Sequence, residues 1–317
     1  MPELITLGES MVLFNPYEIG RLRYASGFVK KFVGAESNVA ISVARLGHKS
    51  GWISRLGKDE FGKYIQMELV AEGVDVSQVE LDEKRATGIM FKEFSSSRET
   101  KVFYYRLNSA ASAMVPEMLN KEYFKGAKIL HLTGITAALS ENCRATMRKA
   151  IEIAKNNNIL VSFDTNIRLK LWDKKTAANE IIKLLDGVDI ILPGIDEAEI
   201  LFGTTNTEKI IDKFLSMGIK IVALKIGKKG AIVADANERV YLPPHDVTNI
   251  VDRVGAGDAF AAGFLTGILE NQSLTNCGKR ANIMGAMATT STDDYQSLPN
   301  KEELNAILTQ ENNTIYR

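Results

Sequence analysis

The sequence predicts an α/β protein with a largely parallel sheet that is covered by helices on both faces. Between residues 128 and 225, short apolar runs alternate with longer segments whose apolar residues recur every three or four positions. This alternation is typical of a parallel sheet, because parallel neighbours are joined by helical crossovers. In addition, polar and glycine residues follow several of the strands, and ligands bind at such strand ends.

The second part of the chain has the most regular pattern. The expected strands are residues 128–132, 160–163, 188–192 and 219–225, with a hairpin of 231–234 and 240–242. The expected helices are residues 141–156, 176–185, 195–202, 207–217 and 274–290. No repeat or linker divides the chain, so we expect one domain over residues 1–317.

The first part of the chain is less regular. The expected elements are strands at residues 4–8 and 52–56, a helix that follows Gly34, and a helix at 63–72. Residues 11–32 lack a helical pattern and are predicted as a loop with strand fragments such as 28–33. Residues 88–94 and 101–106 are expected to be two strands joined by a serine-rich turn.

Composition excludes several classes of function. The chain has 39 basic and 39 acidic residues, so no global field favours nucleic acid or an anionic membrane. It has no signal pattern and no apolar run near the roughly 20 residues of a spanning helix, so we expect a cytoplasmic protein. Cys143 and Cys277 are expected to be reduced and buried. The three histidines, His48, His131 and His245, are too scattered for a zinc site.

Residues 252–263 contain the strongest chemical signal. Gly255, Ala256 and Gly257 precede Asp258, and residues with helical spacing follow. The free N–H groups at such a helix start, together with the helix dipole, form an anion hole that suits phosphate. An acid is unfavourable beside a bound phosphoryl group unless it has a task, so Asp258 is the candidate general base for an attacking hydroxyl.

Two other interpretations of this segment compete with that chemistry. A glycine turn followed by an acid that favours the helix dipole is common without any catalytic role. A dinucleotide-binding fingerprint does not fit, because Phe260 occupies the place of its third glycine and the segment lies late in the chain.

Further candidate residues lie at other turns and strand ends. Gly34 would let a ligand approach the backbone, and Asn38 either binds a ligand hydroxyl or caps the next helix. Tyr104 and Arg106 share one strand face, which suits a small anion, although an exposed edge strand has the same pattern. The residues expected at carboxyl ends of strands are Asp164, Asn166, Arg168 and the segment 225–230.

Taken together, these motifs resemble those of the ribokinase-like sugar kinases, the PfkB family, over nearly the whole chain. The matching segments, in family order, are residues 34–40 with 46–47, 57–62, 225–230 and 252–258, the last with Arg253 where Thr is usual. The resemblance implies a ribokinase-like three-layer α/β/α fold with a mostly parallel central sheet. It also implies a small β lid formed by residues 11–32 and 87–108.

Within this family, four passages are similar to the kinases of keto-deoxy sugar acids such as 2-keto-3-deoxygluconate. They are residues 103–106, 131–140, 164–172 and 293–299. The resemblance implies transfer of a phosphoryl group to the C6 hydroxyl, with Asp258 as base. Two arginines suit the substrate carboxylate. The implied substrate-binding residues are Gly34, Asn38, Tyr104, Arg106, Ile135, Arg168 and Asp294.

The resemblance also implies ATP and Mg²⁺ as cofactors, and it leaves activation by a monovalent cation open. Glu197 is expected to organise magnesium through water, although Gly194 stands where related sequences often have Asn. A second departure is Asp293, where Gly is frequent. The residues expected to bind the nucleotide are Asp164, Asn166, Lys225, Gly227, Gly230, Asp252 and Asn282, with Gly255, Ala256 and Gly257 as the anion hole.

Several alternatives remain beside this interpretation. A neutral-sugar kinase such as a fructokinase is the main one, and the paired arginines disfavour it. A nucleoside kinase, a non-catalytic sugar-acid sensor and a dehydrogenase fit less well. The aromatic residues Phe91, Phe94 and Phe103 of the expected lid predict a homodimer or larger assembly through the lid.

Overall fold

In the computed structural model, which describes residues 1–94, 100–292 and 294–314, the chain forms a nine-stranded sheet and a four-stranded sheet. The strands are β1 (Leu4–Leu7), β2 (Met11–Pro16), β3 (Phe28–Val33), β4 (Ser50–Gly57), β5 (Val79–Asp82), β6 (Ile89–Phe94), β7 (Thr100–Tyr105), β8 (Ile129–Thr133), β9 (Leu160–Asp164), β10 (Ile190–Ile191), β11 (Ile221–Lys225), β12 (Ala231–Ala234) and β13 (Arg239–Leu242).

The helices cover the large sheet. They are α1 (Ala35–Arg45), α2 (Glu60–Ala71), α3 (Lys121–Phe124), α4 (Gly134–Leu139), α5 (Glu141–Asn156), α6 (Lys174–Leu184), α7 (Ile195–Phe202), α8 (Thr207–Ser216), α9 (Ala256–Leu269), α10 (Leu274–Ala288) and α11 (Lys301–Thr314). Several begin at a side-chain cap that accepts a backbone N–H, which satisfies one of the unpaired donors of the first turn. Asp59, Ser140, Asp173 and Ser273 are examples.

The large sheet has the strand order β13-β12-β11-β10-β9-β8-β1-β4-β5. Every pair from β11 to β5 is parallel, and the β12–β13 hairpin is added antiparallel at one edge. The carboxyl ends of the parallel strands therefore meet at one edge of the sheet. The predicted largely parallel sheet and its edge hairpin are confirmed.

Two apolar cores lie on opposite faces of this sheet. On one face, Leu130 and Leu132 pack with helices α5 to α8. On the other face, Leu4 and Ile129 pack with α1, α9 and α10. The side chains alternate because successive residues of a strand point to opposite faces. The result is the three-layer α/β/α arrangement that the resemblance implies.

The small sheet has the strand order β3-β2-β6-β7. One face carries Met11, Leu13, Val33 and Met90, with Tyr104 packed against them. The opposite face carries an aromatic cluster in which Phe14 stacks on Phe91 at 5.1 Å between ring centroids.

The structure differs from the sequence-based elements at a few places. Residues 11–16, predicted as a loop, form strand β2, because their alternate residues are buried on both faces of the small sheet. Sequence reasoning also missed β5, α4 and α11. Cys143 and Cys277 are free and buried, as predicted. Within the described ranges, the structure has no helix that combines the length and apolar character needed to cross a bilayer.

Candidate active site

The first turn of α9 contains the predicted anion hole. Gly255 is the N-cap residue, with φ of 82°, and Ala256 and Gly257 begin the helix. A Cβ atom on Gly255 would lie 2.7 Å from the backbone oxygen of Asp294, so both the conformation and the contact require glycine. The first N–H groups of a helix have no acceptor within it, and the dipole adds positive potential. This turn can hold an anion such as a phosphoryl group.

Asp258 lies in the same turn and is 8% exposed. Burial raises its pKa to about 7, and the neighbouring carboxylates of Asp164 and Asp294 add to this rise. A hydrogen bond from Asn38 and the charge of Arg168 oppose it. A carboxyl group with a pKa near neutral pH can take a proton from a hydroxyl and release it again. The environment of Asp258 therefore suits a general base.

Asn38 joins two of the predicted site residues. Its Nδ2 donates to Asp258 Oδ2 at 2.9 Å and to Asp294 Oδ2 at 3.2 Å. Its own Oδ1 is buried and accepts from no donor among the described residues. Sequence reasoning left two roles open for Asn38, a ligand contact or a helix cap. In the structure its amide holds the two carboxyl groups in place, and a ligand contact of Asn38 remains a prediction.

Gly34, at the start of α1, also lies where a side chain would not fit. A Cβ atom there would approach Ser10 Oγ to 2.6 Å and the backbone oxygen of Glu9 to 2.7 Å. The close approach brings the N-terminus of α1 against the loop that leaves β1, and Asn38 follows one turn later. Gly34 therefore helps to aim Asn38 at the carboxyl groups.

Glu36 is a neighbouring carboxyl group that sequence reasoning missed. It is fully buried, and burial raises its pKa to about 7. Thr133 and Thr136 donate to its Oε1 at 2.6 and 2.5 Å. A signal was present in the sequence, because Glu36 follows a glycine turn at a helix start as Asp258 does.

Lys225 and Asp164 form an ion pair beside the anion hole. The ammonium lies 2.7 Å from Asp164 Oδ2, and a methyl group placed on Gly257 would lie 3.6 Å from Lys225 Nζ. Burial lowers the pKa of Lys225, but the charges of Asp164, Glu197 and Asp258 outweigh this and raise it. Asn166 has φ of 32° and donates its N–H to Asp164 Oδ1 at 3.1 Å. The structure therefore brings these three predicted residues together at the ends of β9 and β11.

A cavity of about 380 Å³ opens next to this ion pair. It is lined by the predicted residues Lys225, Gly227, Gly230, Asn282 and Gly257, and by Ala256 of the anion hole. Asn282 Nδ2 donates to the backbone oxygen of Pro243 at 2.6 Å, so it also holds the cavity wall. An apolar cavity with a lysine and helix-start amides at one end fits a nucleotide with its phosphates at that end.

Asp252 and Glu197 are engaged by protein groups. Asp252 Oδ1 accepts the N–H of Val254 at 3.2 Å, and its Oδ2 lies 3.1 Å from Lys92 Nζ. Glu197 accepts the N–H groups of Gly194 and Ile167, at 2.7 and 2.8 Å. Asp252 thus organises the glycine turn. For Glu197, a magnesium role through water remains a prediction.

The two predicted carboxylate-binding arginines differ in their surroundings. Arg168 is exposed and lies near enough to Asp258 to lower the pKa of that carboxyl group. Arg106 is buried and ion-paired with the buried Glu9, which Ser109 also contacts. Glu9 was missed by sequence reasoning. Because Glu9 neutralises Arg106, Arg106 has a partner of opposite charge without any substrate, and its binding of a substrate carboxylate remains a prediction.

Tyr104 and Arg106 line a second cavity, of about 430 Å³. Lys170 lines it too, and its Nζ donates to the backbone oxygen of Val102 at 3.0 Å. Ile135 lies half-buried in the first turn of α4. The cavity is therefore polar and basic at one side. Asp293 falls outside the described residues, whereas Asp294 is buried and accepts from Asn38.

Known proteins are similar to this chain over nearly its full length. The model of the pfkB family carbohydrate kinases matches residues 1–301. A 2-dehydro-3-deoxygluconokinase of Bacillus subtilis (strain 168) is 39% identical over 308 residues, which cover 96% of this chain and 95% of that protein. A 2-dehydro-3-deoxygluconokinase of Thermoproteus tenax is 33% identical over 312 residues, 97% of this chain and 94% of that protein.

A solved structure supports the same assignment. A putative ribokinase II from E. coli, in complex with ATP and Mg²⁺, superposes with a TM-score of 0.89. The two sequences are 26% identical, and the match covers 98% of this chain and 100% of that chain. The fold, the glycine turn at α9 and the similarity over 301 residues agree. This chain belongs to the pfkB family of carbohydrate kinases.

Proposed function

We propose that this protein transfers the γ-phosphoryl group of ATP to the C6 hydroxyl of 2-keto-3-deoxygluconate, which gives 2-keto-3-deoxy-6-phosphogluconate and ADP. The observation that carries the proposal is the arrangement around Asp258. A buried carboxyl group with a pKa of about 7 adjoins the N-terminus of a helix that can hold a phosphoryl group. The names of the relatives from Bacillus subtilis and Thermoproteus tenax support this substrate.

On the nucleotide side, the cavity of about 380 Å³ receives ATP. Lys225, Ala256 and Gly257 line it, and Lys225 and the amides at Gly255–Gly257 hold phosphate oxygens. Magnesium, when bound with ATP, neutralises phosphate charge. Oxygen ligands suit this metal, and Glu197, Asp164 and Asn166 supply such groups, with Glu197 acting through water.

On the acceptor side, Asp258 takes the proton from the C6 hydroxyl as that oxygen bonds to phosphorus and the bond to ADP breaks. Asn38 keeps the carboxyl group of Asp258 oriented. The helix-start amides stabilise the charge on the transferring group, where electrostatic stabilisation has its largest effect. Asp294 accepts hydrogen bonds from hydroxyl groups of the substrate.

The carboxylate of the sugar acid binds Arg168, with Arg106 and Tyr104 at the adjoining cavity. Arg168 is the stronger anchor, because it is exposed and acts on Asp258 by its charge, whereas Arg106 already has Glu9 as partner. A planar guanidinium that can donate two parallel hydrogen bonds suits a carboxylate. Gly34 and Ile135 shape the remaining wall.

The four-stranded sheet forms a lid over the sugar site, to which the described residues among 11–32 and 87–108 belong. Its inner face carries Met11, Leu13 and Met90, and its Tyr104 lines the basic cavity. A closed lid excludes water and so limits hydrolysis of ATP. The lid and the α/β layers form a single domain over residues 1–317.

The outer face of the lid mediates a homo-oligomer. Phe14, Phe28, Phe91 and Tyr105 form a chain of ring contacts there, and Phe103 and Tyr105 are 39% and 65% exposed. An apolar patch of this kind is typical of an interface. Multi-angle light scattering should give at least a dimer, and Tyr105→Glu should shift the mass towards the monomer. A monomeric wild type would contradict the proposed assembly.

The test of function is ATP turnover with magnesium against 2-keto-3-deoxygluconate, fructose and ribose in parallel. We expect kcat/KM for the keto-deoxy acid to exceed that for either neutral sugar by about 100-fold, because the neutral sugars lack the carboxylate that the arginine binds. A preference for fructose would favour the alternative, a fructokinase. It would keep Asp258 as base and remove Arg168 as carboxylate anchor. Protein with Asp258→Asn, purified in the same way, controls for contaminating kinases.

A further inference from the structure

Lys92 is a lysine without any exposed surface in strand β6 of the four-stranded sheet. It shares a strand face with Met90, which packs in the inner core of that sheet. Lysine is almost never fully buried unless its charge is paired. A solubilising role at the edge of the sheet therefore does not explain it.

The partner of Lys92 is Asp252, which lies 160 residues further along the chain, in the turn before Gly255. Lys92 Nζ is 3.1 Å from Asp252 Oδ2. The other oxygen, Oδ1, accepts the N–H of Val254 directly before Gly255. The N–H of Asp252 is bonded to the backbone oxygen of Thr289 at 3.2 Å. One carboxylate thus connects the four-stranded sheet, the glycine turn and the end of α10.

We propose that Lys92 is a positioning residue, which holds Asp252, and through it the anion hole at Gly255–Gly257, in its working arrangement. This inference rests on the proposed kinase reaction. Lys92 is expected to contact neither the substrate nor the phosphates. It acts on the substrate and the phosphates through Asp252. The arrangement of the anion hole therefore depends on the position of the four-stranded sheet that carries Lys92.

Two physical effects support this role. First, Lys92 neutralises Asp252, which lies only three residues before Gly255. Without Lys92, the Asp252 carboxylate would repel phosphates bound at the anion hole. Second, Lys92 is fully buried and Asp252 is 13% exposed, so removal of Asp252 alone would leave an uncompensated buried charge, which costs far more than loss of the pair as a whole. If the four-stranded sheet moved away, Lys92 would regain water and Asp252 would lose its partner. The pair therefore favours the arrangement in which sheet and loop are together.

A double-mutant cycle tests the proposal, with Lys92→Met, Asp252→Asn and the double variant. Methionine keeps the length and apolar stem of lysine without the charge. We expect Lys92→Met to lower both kcat and the affinity for ADP about tenfold, as is typical of coupled charges in contact. The KM for the sugar acid should change less than threefold. The double variant should be no worse than Asp252→Asn alone. Lys101→Met, at an exposed lysine of the neighbouring strand, is the matched control.

The outcomes separate a positioning role from a purely structural one. Isothermal titration with ADP and thermal unfolding are measured on each variant. A lower Tm of Lys92→Met with unchanged kcat and unchanged ADP affinity would overturn the proposal. It would also be overturned if the fold-changes of the two single variants simply multiplied in the double variant, because Lys92 and Asp252 would then act independently. The ADP measurement needs no sugar. If the wild type phosphorylated no sugar acid, the proposed substrate would fail, while the ADP cycle would still test the coupling between Lys92 and Asp252.

Discussion

Replacement of Asp258 by Asn should strongly reduce the rate of catalysis and at the same time stabilise the fold at alkaline pH. The pKa of Asp258 rises from 3.8 to about 7 in the folded protein, with burial as the largest cause. A carboxyl group whose pKa is raised by folding binds its proton more tightly in the folded state. Its contribution to stability is thus complete below pH 4 and is lost as the pH rises through about 7.

The magnitude follows from the same values. One pKa unit corresponds to about 1.4 kcal/mol, so a rise of about three units costs the folded protein roughly 4 kcal/mol at pH 8. Other buried carboxyl groups, such as Glu36, have raised pKa values as well and share this cost. We therefore expect Asp258→Asn to be more stable than the wild type by about 2 to 4 kcal/mol at pH 8. Asparagine is neutral at all these pH values. Its side-chain oxygen can still accept the hydrogen bond that Asn38 donates to Asp258.

Two assays check this prediction. Urea unfolding of wild type and Asp258→Asn should show a stability gain of the variant at pH 8 that shrinks to under about 1 kcal/mol at pH 4. The kcat of the variant should fall by about two to four orders of magnitude, the usual contribution of a general base. Asp186→Asn, at an exposed aspartate, is the control. Near-normal turnover, or an equal stability change at both pH values, would refute the reasoning.

Three further predictions concern the groups around Asp258. Arg168→Ala should raise the KM for the sugar acid about 10- to 100-fold and leave the KM for ATP within about threefold, because it removes a charged hydrogen bond to the carboxylate. Steady-state kinetics test this, with Arg148→Ala as control, and an unchanged KM for the sugar acid would contradict it. Lys225→Met should lower the free energy of unfolding by about 3 to 5 kcal/mol, because Asp164 is left buried without its partner. Urea unfolding measures this, and adding Asp164→Asn to Lys225→Met should restore the lost stability. In the wild type, kcat/KM should rise about tenfold per pH unit below pH 7 and level off above it, because Asp258 acts as a base with a pKa of about 7. A flat pH profile of kcat/KM from pH 5 to 8 would exclude Asp258 as the general base.

The sheet could be predicted because its signal is local and repeated. Strands β8, β9 and β11 are apolar runs, since both faces of a parallel sheet are buried. Strand β5 could not be predicted in the same way. It has four residues at the edge of the sheet, and two of them, Glu80 and Leu81, are exposed. Its place depends on pairing with β4 rather than on its own pattern.

The active site could be predicted in part for a geometric reason. The ends of β9 and β11 and the start of α9 meet at one edge, so Asp164, Lys225 and Asp258 converge although they are far apart in sequence. Glu9 and Lys92 were missed. Each is a common surface residue type that is buried here, and each gains its role only from a partner of opposite charge that lies about 100 residues or more away.

The proton affinity of Asp258 is the property that the sequence could least predict, and it is also the one on which the proposed chemistry depends. An aspartate in a helix first turn would ordinarily have a low pKa, because the helix dipole favours the charged form. Here burial and two neighbouring carboxylates overcome the hydrogen bond from Asn38 and the charge of Arg168. The balance is therefore set by groups that the substrate itself would alter. A bound carboxylate on Arg168 would weaken a positive charge that lowers the pKa of Asp258 and would raise its proton affinity further, so the sugar acid would help to prepare its own base.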